Sequence, residues 1–379
     1  MNLCRIRVRH STLALLFLTT GCAGSHGPAI TSDTTGFRQL SEATDICRDC
    51  VVLEAVVEFG DTVGPGFVNE AAFATQDSLG RYWINQRDGI KVFSAQGRFV
   101  GTVGRLGQGP FEFSYPLPVH TDVEGNIHII DPGNARRTIV TPQLARHSDH
   151  RLPAGSVNDA AVLPDGNRLL LNMWLSTPTQ IGLPLHIAIA DSVIASFGVP
   201  VTGVLQTDFT IRRRIAIGQR RLYSAKEYEY ELEIWTFEGN RLGGVLGPSI
   251  NVTSVKPTFF NRSDNPIPSQ IMGVQETGVD TVAVLVREPK SHWRELHEDF
   301  VYPQGQVGLR LRKAVPFDSA YSTRIDVIDL RSSSVVARTY RPELFGSFVG
   351  EGLLLQNRTV ADAPRIAIWR MAIVLPRKR

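Results

Sequence analysis

The amino-acid sequence predicts an all-β fold, a six-bladed β-propeller closed by an N-terminal strand that joins the C-terminal blade. Three observations carry this. Turn motifs recur every 40–50 residues or so, about the length of a four-stranded blade. Each is followed by a short apolar strand: Tyr82-Trp83-Ile84, Ile127-His128-Ile129-Ile130 and Leu169-Leu170-Leu171. The repeating region also begins at 51–59 with what reads as the last strand of a blade, and ends at Arg365–Trp369 on what reads as a third strand. Joining the two completes one blade and removes two open sheet edges.

The N-terminus is a targeting segment. Arg5, Arg7 and Arg9 precede the apolar run Leu13–Leu18 and the small residues Thr20-Gly21-Cys22. A basic region, a short apolar run and small residues make a secretory signal. The run is far short of the roughly 20 apolar residues that span a bilayer. The end of the segment resembles a bacterial lipobox, with Cys22 as the lipid attachment site. Thr19 stands where that pattern expects leucine, and Leu18 comes one place early. The division expected is a signal over 1–21, a polar tether with a CxxC over 22–50, and the propeller over 51–379. Without the three signal arginines the chain has 37 basic and 37 acidic residues, so no net charge points to nucleic acid. The runs Arg212-Arg213-Arg214 and Arg377-Lys378-Arg379 read as solvated faces.

Cys47-Arg48-Asp49-Cys50 precedes an apparent strand, Val51–Val57. A redox pair instead opens a helix, whose dipole lowers the thiol pKa. Two cysteines are too few for a closed zinc site. A structural disulfide between Cys47 and Cys50 is expected.

The blades follow in order. Asp77-Ser78-Leu79-Gly80 returns as Asp122-Val123-Glu124-Gly125 and Leu163-Pro164-Asp165-Gly166. Aspartate at a turn start accepts from its own backbone two residues on, so these carboxylates read as structural. The strand at Ile90-Lys91-Val92-Phe93 returns as Leu232-Glu233-Ile234-Trp235 and, more loosely, at Ile187–Ala190, Ile325–Leu330 and Arg365–Trp369. The resulting blades cover about 67–104, 113–153, 157–198, 208–247, 270–340, and 346–379 with 51–59. Blade two reads as degenerate in its outer half. Blade five carries an insertion at about 288–322 with room for a short helix.

The glycine-rich stretch from Gly101 to Phe113 has a near-copy at Val57–Phe67. No helix pattern follows Pro110, so it is not a dinucleotide fingerprint. It reads as the joint between an outer strand and the next blade, with Phe111 and Phe113 packing between blades. Arg105 and Gln108 are then placed to line one face of the ring.

The motifs D-x-x-G at Asp77, I-x-V-F-x-x-x-G-x-F at Ile90 and G-x-x-G-x-G-P-F-E-F at Gly104 resemble the NHL-type six-bladed propellers. They are especially similar to the six-bladed propeller lipoproteins of Gram-negative bacteria. The resemblance covers most of 51–379 and is strongest for blade one. It implies a central channel with ligand sites on one face, and no single activity. Enzymes on related rings hold calcium through carboxylates and amides, or zinc through histidines.

Such a metal set is not visible in the sequence. His120 falls on the inner strand of blade two, but the matching positions in blades one and three are Thr75 and Ala161. His147 and His150 read as an outer loop, and the spacing of His292 and His297 does not suit one helical face. No G-x-S-x-G occurs. The pairs Glu227/Glu229 and Asp326/Asp329 fit exposed strand faces or turns. Trp83, Trp235 and Trp369 read as core, whereas Trp174 and Trp293 are candidates for a binding surface.

The expectation is an extracytoplasmic protein, either a lipoprotein of the periplasm or outer membrane or else secreted. It is a monomeric scaffold for a protein, peptide or glycan ligand, without cofactor, metal or nucleic acid. Arg105, Gln108, His120, Trp174 and Trp293 are its candidate ring-face residues, and no catalytic residue is assigned. The alternative is a metal-dependent hydrolase or lyase centred on the channel.

Overall fold

Blade one is built from Ala74–Gln76, Tyr82–Gln86, Gly89–Phe93 and Phe99–Val103, hydrogen-bonded in that order from the ring centre outward. The same antiparallel order recurs in blade two (Leu117–Thr121 to Arg146–Arg151) and blade three (Ser156–Val162 to Ser192–Phe197). Blade four runs from Arg213–Ile217 to Arg241–Leu246, and blade five from Gln270–Gly278 to Ser334–Arg341. Blade six takes Phe345–Gly350, Leu353–Val360 and Ala363–Ile373, and its fourth strand is Val51–Phe59. The closing register runs antiparallel from Val51 opposite Ile373 to Phe59 opposite Ile366. Each inner strand touches the inner strands of both neighbouring blades, so the ring closes. The computed structural model describes residues 36–69, 71, 73–153, 155–175, 182–199, 212–247, 267, 269–301, 307–313, 315–361 and 363–374. The signal segment and Cys22 lie outside the described residues, and for His120 and Trp174 only the backbone is described.

Packing follows from the alternation of the strands. Each blade is apolar on both faces, because each face meets a neighbouring blade. Among the described residues the buried apolar side chains fall into six clusters, one per junction. Between blades one and two, for example, Trp83, Ile90, Val92 and Val103 meet Ile127, Ile129 and Val140, with Phe113 of the link among them. Across the closure, Phe59 stacks on Tyr82 and Phe93 at 5.6 and 4.7 Å between ring centroids.

The turn aspartates act as their spacing predicts. Oδ1 of Asp77, Asp122 and Asp165 accepts the N–H of Leu79, Glu124 and Asn167 at 3.0, 2.9 and 2.9 Å. Asp77 also accepts from Arg81 Nε and Trp83 Nε1, tying the turn to the core. The glycine-rich stretch is the joint it resembles. Arg105–Leu106 pairs in parallel with Glu112–Phe113. Gly104 turns the chain at φ +69°, and a Cβ there would lie 2.2 Å from the Phe113 ring.

Three expectations need correction. The segment 22–50 is not tether throughout. Phe37–Gln39 adds in parallel to the outer strand of blade four, and Ser41–Cys47 to that of blade five. Leu40 between them is buried, and Arg38 donates to the carbonyls of Leu330 and Arg331. A strand added at an outer edge satisfies that edge's backbone groups while exposing its own side chains. Its composition therefore looks like a linker.

Blade two is not degenerate. Arg136–Val140 and Arg146–Arg151 are full strands, paired from Arg136 opposite Arg151 with one bulge between Ile139 and Val140, so His147 and His150 lie on an outer strand rather than in a loop. Its polarity hid it for the same reason. The insertion of blade five holds more than one short helix. It contains the single turns Trp293–Leu296 and Phe317–Ala320, and a hairpin pairing His297–Val301 with Val307–Leu311. Cys47 and Cys50 are disulfide-bonded, immediately before the closing strand.

Candidate functional site

An antiparallel four-stranded blade puts the turn after its second strand, and the link to the next blade, on one face of the ring. The other turns fall on the opposite face. On the first face the channel opens into a cavity of about 790 Å³, and on the second into one of about 820 Å³. Phe73, Arg214, Met272 and Ser347 line both, so these four residues form a waist between them. Both volumes lie in the range of small-molecule sites.

The first mouth is cationic. Arg212, Arg213 and Arg214 lead into and begin the inner strand of blade four. Arg287 comes from the second strand of blade five, and Arg358 and Arg365 from the second and third strands of blade six. Against these six arginines stand two carboxylates in the lining, Glu227 and Asp318. Glu227 is buried, 3.6 Å from Arg214 Nη2, and accepts from Gln270 Nε2. Arg358 reaches Glu58 at 3.1 Å.

Arg287 is held differently. Its guanidinium lies 5.0 Å from the Phe317 ring centroid and 5.1 Å from that of Tyr321, an aromatic pair supplied by the insertion. No described carboxylate lies within ion-pair distance of it. Burial pushes its pKa down. Glu227 offsets this only at longer range, so a part-buried guanidinium with no contact carboxylate gains when an anion arrives. The two ring faces hold the guanidinium by cation–π attraction, which uses none of its N–H donors.

At the waist, Asp159 accepts the backbone N–H of Ile215 at 3.1 Å and of Ala160 at 2.9 Å. Burial pushes its carboxyl up to about 6, with nearby Arg214 opposing the rise. Burial also pushes the Tyr228 hydroxyl up to about 12, with Glu227 adding to the rise.

The residues singled out from the sequence do not converge on this mouth. Arg105 is exposed, paired with Glu112 at 2.6 Å, and Gln108 sits in the turn that Glu112 closes by accepting from Gly109 N–H. Neither lines either cavity. Trp293 packs edge-on to His297 within the insertion, under Arg294. The backbones of His120 and Trp174 lie on the inner strand of blade two and at the end of the second strand of blade three.

Two readings were wrong in a way that matters. The run Arg212-Arg213-Arg214 is no solvated face: it borders the mouth, and Arg213 is 1% exposed with its charge acting on buried Glu233. Glu227 and Asp326 are buried, not on exposed faces. Asp326 accepts from Tyr230, Arg324 and Arg338 at the junction of blades four and five. The signal that could have found the mouth is a basic run entering an inner strand, since inner-strand ends surround the channel. Among the described residues no group of three or more His, Cys, Asp or Glu is placed to hold a metal ion.

Fold and mouth together define a β-propeller with a ligand-sized, cationic cavity at the centre of one face. No protein-family model matches the chain, and no curated protein matches its sequence. Among solved structures it is similar to a provisionally named exported protein of Bacteroides fragilis. That likeness has 12% identity and a TM-score of 0.59, and covers 89% of this chain and 99% of that one. At that identity it concerns the fold alone. The virginiamycin B lyase of Staphylococcus aureus matches at 9% identity over 84% of this chain and 99% of its own, with a TM-score of 0.45. A streptogramin B lyase matches at 11% over 79% and 78%, with a TM-score of 0.41. No chemistry follows from these two.

Proposed function

We propose that this protein is an extracytoplasmic, lipid-anchored propeller, of the kind its NHL-like motifs resemble, that binds a small anionic ligand in its arginine-lined mouth. The observation that carries the reading is a lining of six arginines and two carboxylates around a cavity of about 790 Å³, in which Arg287 has no described carboxylate within ion-pair distance, while Arg213 is buried near Glu233 and Arg358 is paired with Glu58. Electrostatic focusing in a cleft of one sign raises the local concentration of the opposite sign. The basic and apolar N-terminus ending at Cys22 supports export and anchoring. The Cys47–Cys50 disulfide supports an oxidising compartment. The name of the exported Bacteroides protein agrees with this. The protein is read as a scaffold rather than an enzyme, and no specific observation favours the metal-dependent alternative. A glycan or peptide fits the mouth only where it carries an acidic group.

The test is thermal unfolding of the purified protein in phosphate, citrate, glucuronate and octanoate, each against chloride at equal ionic strength. A ligand that binds only the folded state stabilises it in proportion to the logarithm of its concentration over Kd. At least one anion raises the midpoint, and Arg287→Gln removes most of the rise. No response to any of the four in the wild-type protein refutes the reading.

A further inference from the structure

The six arginines do not surround the mouth evenly. All come from blades four, five and six. The opposite arc, from blades one to three and their links, contributes no charged side chain to the described lining. It offers Ala71, Phe73, Val157 and the Tyr115 ring, with the Tyr115 hydroxyl and the Asn158 amide as its polar groups. The floor is Met272, whose unbranched thioether adapts to irregular apolar shapes. Among the described residues the mouth is therefore cationic on one side and uncharged, mostly apolar, on the other. A polyanion with charge on all sides would turn about half its oxygens toward Phe73, Tyr115 and Val157, where the Tyr115 hydroxyl and the Asn158 amide are the side-chain donors of the described lining. A wholly apolar molecule would leave Arg287 without an anion.

Resting on the anion-binding reading, we infer that the ligand class is an amphiphilic monoanion: one carboxylate head on an alkyl or aryl body. The head lies against the N–H edge of Arg287, where a planar guanidinium takes a carboxylate bidentately. The body lies across the waist toward Phe73 and Tyr115. The Phe317–Tyr321 pair holds the Arg287 guanidinium about 5 Å from each ring, so the insertion of blade five sets where the head binds.

The test is a calorimetric titration series of butyrate, hexanoate and octanoate below their micellar concentrations, with inorganic phosphate and pyrophosphate as headgroup-only probes. Affinity rises about fourfold per buried methylene, and octanoate binds more tightly than pyrophosphate. Arg287→Gln weakens all three carboxylates by a similar factor, about tenfold or more, and keeps the increment per methylene. Tyr115→Ser, at a half-exposed side chain, weakens octanoate and leaves butyrate unchanged. A flat chain-length series, or pyrophosphate binding more tightly than octanoate, overturns this inference and leaves the anion site standing. If none of the five probes binds, this inference falls, and the anion-binding reading falls with it when citrate and glucuronate also fail to bind. The wild-type series decides the matter without any variant.

Discussion

Substituting Gly104 by alanine tests whether the glycine-rich joint is built by backbone conformation, by close packing, or by both. Gly104 sits at φ +69°, a left-handed conformation that costs an alanine about 1 kcal/mol. Its new Cβ would lie 2.2 and 2.5 Å from two atoms of the Phe113 ring and 3.0 Å from the Phe111 carbonyl oxygen. Phe113 is 1% exposed and wedged with Trp83 at the junction of blades one and two, so it has nowhere empty to turn. Overpacking of this kind costs about 1–3 kcal/mol, so the total for Gly104→Ala is about 2–4 kcal/mol. Gly166 is the matched control, at φ +71° with no heavy atom within 4 Å of the added Cβ. Gly166→Ala should cost only the backbone portion, about 1 kcal/mol. Urea unfolding followed by tryptophan fluorescence reads both losses. Equal losses at the two sites would refute the packing argument.

Asp326 and Glu42 test how burial weights ion pairs. Asp326→Ala leaves Arg324, Arg338 and the Tyr230 hydroxyl without their shared acceptor, and should cost about 3–5 kcal/mol. Glu42→Ala removes only an exposed partner of Arg338 and should cost less than about 1 kcal/mol in the same unfolding assay. Similar costs would mean that the two pairs are equally solvated. Asp159 gives the protein a pH dependence. Its folded pKa of about 6 exceeds the ordinary 3.8, so folding favours its protonated form. The cost is absent below pH 4, grows as pH rises to 6, and is complete above it, at about 3 kcal/mol. Asp159→Asn loses one backbone acceptor at every pH, about 1 kcal/mol. It should therefore be slightly less stable than wild type at pH 4 and more stable at pH 8. A difference that does not change with pH would show that the carboxyl is not desolvated.

Asp326, Glu227 and Asp159 share a history with the arginines. Each lies on or beside a strand with polar neighbours, and along the chain nothing separates it from a solvated charge. What separates them is position in the ring. Glu227 follows the second strand of blade four and comes against Gln270 of blade five and Arg214 of its own inner strand. Asp326 meets Tyr230 from the neighbouring blade, 96 residues earlier in the chain. The reverse holds for Asp77, Asp122 and Asp165. Their partners lie within six residues, and their structural role is readable from the turn motif.

Local chemistry therefore made the ring legible. Period, turn aspartates, joint glycines and alternating strands act over a few residues each, and their repetition fixes the blade pattern and the closure by 51–59. The strap at Phe37–Cys47 escaped because an edge strand needs only backbone donors and acceptors, which every sequence has. The mouth escaped for a related reason. Its charge asymmetry arises when six inner strands are bent into a circle and residues from 71 to 365 come to face one space. The sequence determined the blades, the order in which they follow and the strand that closes them. Tertiary structure alone decided which of the forty basic side chains face one another across the channel, because that proximity is a property of the closed ring and of no segment within it.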